Sequence, residues 1–283
     1  MLTSLPYILG LYEKAMPLDL EWPARLAAAR TAGFDFVEIS IDETDAKLAR
    51  LDWTPEQRRT LARQMDDAGI RIETMCLSGH RRFPLGSPDP AKRVRSLEIM
   101  RKAVDFAADL GIRIIQIAGY DTYYDPSTTE TRQDFLAGLA RSAEYASRAG
   151  IILGFETMET PFMNTVSKAM AYVDQIHSPY LQVYPDIGNL TNAAVAYGTS
   201  VTADLLSGEG HLAAVHLKET VPGVFREVPF GTGHVDFATL IPYACGLGVR
   251  RFTAEFWHKG EADWPGELER AAGFLRAFFP EIL

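Results

Sequence analysis

Eight short runs dense in β-branched, aromatic and other apolar residues recur along the chain, each followed by a longer stretch with the spacing of an amphipathic helix. The runs are YILGLY (7–12), FDFVEIS (34–40), IRIETMCL (70–77), IRIIQIA (112–118), IILGFE (151–156), LQVYPD (181–186), LAAVHLK (212–218) and RFTAEF (251–256). Segments rich in helix formers lie between them, among them WPARLAAARTAG, TPEQRRTLARQMDDAG, AKRVRSLEIMRKAVDFAADLG and RQDFLAGLARSAEYASRAG. The punctuation agrees with this division. Gly33, Gly69, Gly111 and Gly150 each close a helix just before the next strand, and Thr54 with Pro55 supplies a cap followed by a first-turn proline.

Strict alternation of strand and helix implies a parallel sheet with helices outside it. Eight units fit a closed (β/α)₈ TIM barrel better than an open doubly wound sheet, and no linker or low-complexity stretch divides the chain, so residues 1–283 are expected to form one domain. A dinucleotide fold would need G-x-G-x-x-G after the first strand, where LGLYEKAMP stands instead. The fragment GTGHVDF (231–237) lacks the third glycine and is expected to be a loop.

Composition narrows the function classes. With 47% hydrophobic and 23% charged residues in 283, there is enough apolar material for a large buried core. A formal net charge of −9 disfavours nucleic acid and anionic membrane surfaces as partners. The first 15 residues lack the basic start and long apolar core of a secretion signal, and no run of 18 apolar residues follows, so a cytoplasmic protein is expected. Cys76 and Cys245 belong to no C-x-x-C pair and are expected to be reduced packing residues.

In a barrel the carboxyl-terminal strand ends face the active site, so a polar residue finishing an apolar strand is a candidate by position. Glu156 closes IILGFE, Asp186 closes LQVYPD, His216 lies near the end of LAAVHLK and Glu255 near the end of RFTAEF. The first three stand 30 residues apart, about one strand-helix unit, and therefore at equivalent heights on neighbouring strands. Three carboxylates and one imidazole suit one divalent ion such as Zn²⁺, Mn²⁺, Co²⁺ or Mg²⁺. Singly, each has a plainer reading: a strand-end acid often caps the next helix, and a lone histidine can be a core residue.

Several motifs together resemble a known family. They are LGLYEKAMP (9–17), GFDFVEISIDETD (33–45), LDWTPEQR (51–58), MCLSGHRRFPLGS (75–87), IQIAGYDTYY (115–124), FMNTVSKA (162–169), YPDIGNL (184–190), VHLKET (215–220) and FREVPFGTGHVDF (225–237). The resemblance, which runs nearly end to end, is to the metal-dependent sugar isomerases and epimerases with a xylose-isomerase-like TIM barrel, and within them to L-ribulose or L-xylulose 5-phosphate 3-epimerases. It implies that Glu156, Asp186, His216 and Glu255 hold the ion and that the two glutamates also serve as the acid/base pair for C3 of a 2-ketose. Asn189 stands where epimerases of unphosphorylated ketoses carry a histidine, which favours the sugar-phosphate branch.

On this reading the substrate is a small sugar phosphate. Glu159 and Arg226 are candidates for binding the sugar, and Lys14, Ser78, His80, Arg81 and Tyr120 for its phosphate end, with Arg82 and Tyr123 beside them. Tyr12, Phe83 and Trp257 are candidate walls; His234 and His258 are ambiguous. A homodimer is the default assembly. The rival readings are an aldose-ketose isomerase, an epimerase of an unphosphorylated ketose, an abasic-site endonuclease and a non-catalytic sugar-phosphate sensor.

Overall fold

The computed structural model describes residues 7–280; the first six residues, part of the segment read for a secretion signal, and the last three lie outside it. Eight parallel strands alternate with helices. They are β1 (Ile8–Tyr12), α1 (Trp22–Thr31), β2 (Phe36–Ile41), the short α2 (Asp45–Leu48), α3 (Pro55–Ala68), β3 (Arg71–Leu77), α4 (Pro90–Leu110), β4 (Ile114–Ala118) and α5 (Thr129–Ala149), followed by β5 (Ile152–Glu156) and α6 (Val166–Ile176). The last units are β6 (Leu181–Val183), α7 (Ile187–Tyr197), the short α8 (Val201–Leu206), β7 (Val215–Leu217), α9 (Phe237–Gly246), β8 (Arg251–Ala254) and α10 (Trp264–Arg276). The sheet order is β6-β5-β4-β3-β2-β1-β8-β7.

Between β6 and β7 the ring is closed by bridges rather than by a regular ladder. Val183 pairs with Leu212 and Asp186 with His216. The run LQVYPD stops pairing regularly at Val183, because Pro185 has no N–H to give the ladder. Its carbonyl still accepts the His216 amide at 2.9 Å. This irregular seam carries two of the four candidate ligands.

The helix ends follow the sequence signals. Gly69, Gly111 and Gly150 are left-handed caps, with φ of 64°, 76° and 66°. Thr54 forms a reciprocal capping box with Gln57 and is followed by Pro55. GTGHVDF is a loop leading into α9, held by Glu219, whose carboxylate accepts the backbone amides of Gly231 and Val235 at 3.0 and 3.1 Å.

Side chains alternate across each strand, so the two faces of the barrel wall separate chemically. Leu9, Leu11, Val37, Ile39, Leu153, Phe155, Val215, Leu217 and Phe252 join helix residues such as Leu26, Leu61, Ile99, Phe106, Leu139 and Leu268 in one buried core. Each such side chain contributes about 1.5–3 kcal/mol when fully buried. The opposite parity is largely polar. Glu38, Thr74, Gln116, Tyr184, His216 and Thr253 are all buried and bond to one another across the barrel interior.

One glycine lets this seam close. A Cβ on Gly188 would lie 2.6 Å from the Lys218 carbonyl oxygen and 3.2 Å from Asp186 Oδ1, so α7 reaches β7 only because the side chain is missing. Gly188→Ala is therefore expected to destabilise the protein by about 1–3 kcal/mol, the usual range for forced overpacking. The check is a lower denaturant midpoint at unchanged m-value; an unchanged midpoint would contradict the close approach.

Candidate active site

Glu156, Asp186, His216 and Glu255 converge, each offering one ligand atom, all within 4.8 Å of one another and all buried. Glu156 is the last residue of β5 and His216 the middle of β7. Glu255 follows β8 directly, its amide donating to Leu217 O at 2.9 Å. Asp186 does two jobs, since its Oδ1 caps α7 by accepting the Asn189 amide at 2.8 Å while Oδ2 points into the cluster. The helix-cap and ligand readings are both true of this one carboxylate.

The cluster also contains a residue that strand-end reasoning passed over. Lys218, buried and two positions beyond His216, places Nζ 2.8 Å from Asp186 Oδ2 and 3.4 Å from Glu255 Oε2. Burial and the charge of Glu255 push the Glu156 carboxyl up to about 8. Burial likewise pushes Asp186 up to about 7, against the pull of Lys218. Glu255 is desolvated too, but Lys218 and His216 outweigh that and hold it well below the usual carboxylate range. Burial would discharge His216, yet Glu38 and Glu255 keep its pKa well above the ordinary value.

A divalent ion fits these residues. Asp186 Oδ2 is buried with no hydrogen-bond partner, although an ammonium lies near it. His216 Nδ1 faces the carboxylates, 3.2 Å from Glu255 Oε2 and 4.0 Å from Glu156 Oε1. Oxygen donors with one imidazole are a hard-to-borderline set.

Around the cluster the cleft wall holds most of the other candidates. Tyr12, Lys14, Ser78, Arg81, Glu159, Arg226 and Trp257 all line it, as do Cys76 and Met158. Arg81 lies 4.8 Å from the Tyr123 ring centroid and 3.5 Å from Tyr120 Oη, and its buried Nε has no partner. Lys14 pairs with Asp42 at 2.6 Å. Glu159 accepts from Tyr120 Oη at 3.3 Å and from Arg226 at 3.3 Å, joining the loops after β5 and β7.

Other candidates do not reach the cleft. His80 is enclosed in the protein with Nε2 3.1 Å from Ser96 O, and burial pulls its pKa down to about 4. Its ring is turned away from the cleft, onto a carbonyl of α4. Asn189 sits behind Asp186, its Nδ2 donating to Thr157 O at 2.7 Å. Arg82 pairs with Asp45 on the surface, Phe83 packs on the main core, His234 contacts Thr220 and His258 lies near Glu261.

A sequence model described as "Xylose isomerase-like TIM barrel" matches residues 26–278. The chain belongs to this family. It is 48% identical over 270 residues to an L-ribulose-5-phosphate 3-epimerase UlaE from Escherichia coli, covering 95% of this chain and 94% of that protein, and equally so to the protein of that name from Shigella boydii. Among solved structures, a D-allulose 3-epimerase from Methylomonas sp. superposes with a TM-score of 0.78 at 22% identity, over 96% of this chain and 97% of its own. A structure of L-ribulose 3-epimerase gives 0.74 at 21%, over 96% and 93%. These last two likenesses show the fold. Among the described residues no helix is long and apolar enough to cross a membrane.

The shifted carboxyls set a pH dependence. Glu156 and Asp186 hold protons to about 8 and about 7 when folded, far above the ordinary 4.5 and 3.8, and His216 shifts in the same direction. Between pH 6.5 and 8 the folded chain thus binds more protons than the unfolded one, so unfolding free energy falls as pH rises. In chelator, the melting temperature is expected to drop across this window. Adding a divalent ion at pH 7 should release protons, seen as a buffer-dependent binding enthalpy in calorimetry; a buffer-independent enthalpy would contradict the assignment.

Proposed function

We propose that this protein is a metal-dependent 3-epimerase that interconverts L-ribulose 5-phosphate and L-xylulose 5-phosphate, with Glu156 and Glu255 exchanging the C3 proton. The observation that carries this reading is the placement of two buried glutamates, one ending β5 and one directly after β8, in one cluster with Asp186 and His216. The 48% identity to curated L-ribulose-5-phosphate 3-epimerases supports the choice of substrate.

Inverting C3 needs a base on one face of the carbon and an acid on the other. Glu156 and Glu255 supply two such carboxyls in one buried cluster. A divalent ion held by Glu156, Asp186, His216 and Glu255 would stabilise the negative charge that grows on O2 as C3 loses its proton. Lys218 adds a fixed positive charge on the Asp186 and Glu255 side of the cleft.

The phosphate end of the substrate falls to Arg81, Lys14 and Ser78, which line the cleft away from the seam. The unpartnered Nε of Arg81 is a buried donor suited to a phosphate oxygen. Glu159 and Arg226, paired at 3.3 Å, also line the cleft, as do Tyr12 and Trp257, 6.3 Å apart and edge to face, which give it an aromatic wall.

Glu156→Gln and Glu255→Gln are each expected to lower kcat by about 10²-fold or more, the contribution of one positioned acid or base. In D₂O the wild-type protein should place deuterium at C3 of recovered ketose; label confined to C1 would instead mean aldose-ketose isomerisation. Arg81→Met should raise KM for the phosphorylated ketose by about 10-fold or more, as expected for loss of a charged hydrogen bond, with a smaller effect on kcat. An unchanged KM would remove Arg81 from the phosphate site.

A further inference from the structure

We propose that Glu38 is the positioning residue of the metal centre: its carboxylate accepts a hydrogen bond from His216 Nε2–H and so fixes the imidazole tautomer whose Nδ1 lone pair faces the ion. This rests on the reading above that Glu156, Asp186, His216 and Glu255 hold a divalent ion.

Glu38 lies in the middle of β2, across the barrel interior from β7, and is fully enclosed. A carboxylate in that setting is costly unless it has a task and partners. Its Oε1 stands 2.6 Å from His216 Nε2. Its Oε2 accepts from Thr74 Oγ1 at 2.7 Å and from Tyr184 Oη at 3.0 Å, while Tyr184 Oη lies 2.7 Å from Thr253 Oγ1. The carboxylate is thereby held from three strands and cannot swing away from the ring. It does not line the cleft, so its route to the chemistry runs through His216.

With Oε2 accepting from two hydroxyls, Oε1 is the acceptor turned to the ring, so the ring nitrogen facing it carries the proton. In the neutral ring that a metal ligand must be, that leaves Nδ1 as the lone-pair nitrogen, and Nδ1 is the one turned to Glu255 and Glu156. Gln116 does not decide the matter. Its Nε2 is 3.1 Å from Nδ1 and 3.2 Å from Nε2, which places the amide over the ring rather than in line with either nitrogen. A carboxylate behind a ligating histidine both orients the ring and makes it a better donor, and losing such a partner usually weakens metal binding by about 10–100-fold.

The test compares Zn²⁺ affinity, by competition with a chelator, in the wild type, Glu38→Gln and Tyr184→Phe, together with ¹⁵N spectra of histidine-labelled, Zn²⁺-loaded wild type. Expected are a proton on His216 Nε2 and a metal-shifted Nδ1, an affinity loss of about 10–100-fold in Glu38→Gln with the fold intact by circular dichroism, and a smaller loss in Tyr184→Phe. Wild-type affinity in Glu38→Gln, or Zn²⁺ bound through Nε2, would overturn the proposal. If Glu38→Gln does not fold, the spectra and Tyr184→Phe decide: wild-type affinity in Tyr184→Phe would likewise overturn it. A wild type that takes up no Zn²⁺ would fail the metal reading itself, and this assignment with it.

Discussion

The interior of this barrel is organised around a charge that cannot be left alone. Glu38, Glu156, Asp186 and Glu255 are all buried against one ammonium, Lys218, and one imidazole, His216. Even with the imidazole protonated, four carboxylates against two cations leave two negative charges, and burial makes uncompensated charge expensive. Protons on Glu156 and Asp186 are one answer, which is why both are pushed up. One divalent ion is the other. The same imbalance that would weaken a purely structural core suits a site that could hold a cation.

The fold holds this cluster by making its weakest seam the functional one. Seven neighbouring strand pairs are joined by parallel ladders, whereas β6 and β7 meet through isolated bridges, one of them between Asp186 and His216. Backbone geometry therefore fixes two candidate ligands at the point where the ladder fails. Around them lie small supporting devices. Asp186 caps α7 while facing the cluster, Gly188 lets that helix approach Lys218, and Thr157 Oγ1 accepts the Asp186 amide at 2.9 Å. Each side chain is constrained by a neighbour with its own structural duty, which is how a site keeps its geometry without a ligand to shape it.

The two ends of the cleft are built differently. At one end, Asp186 and His216 share the bridge across the seam while Glu156 ends β5 and Glu255 follows β8, all four buried and brought together. At the far end, Lys14, Arg81, Glu159 and Arg226 come from loops after β1, β3, β5 and β7 and are paired with acids or with one another. Rigid strand ends suit bond-making chemistry, whereas loops can vary with the substrate's tail while the barrel stays the same.

Much of this was legible in the chain alone. The alternation of strand and helix runs, the glycine caps at 69, 111 and 150, and four polar residues finishing consecutive apolar strands specified the barrel and the candidate cluster at its strand ends, because period, cap and strand-end position are local properties. Two further signals were present as well: Lys218 shares the parity of His216, and Glu38 is a charge inside the apolar run FVEIS. Their meaning was not local. Only the closed barrel brings β2 and β7 face to face and sets Glu38 2.6 Å from a histidine 178 residues away. Only the folded turn after β3 sets His80 inward, onto a carbonyl of α4, and leaves Arg81 at the cleft. Sequence pattern determines which residues stand on which face of an element; which faces meet, and across what distance, is decided when the sheet closes.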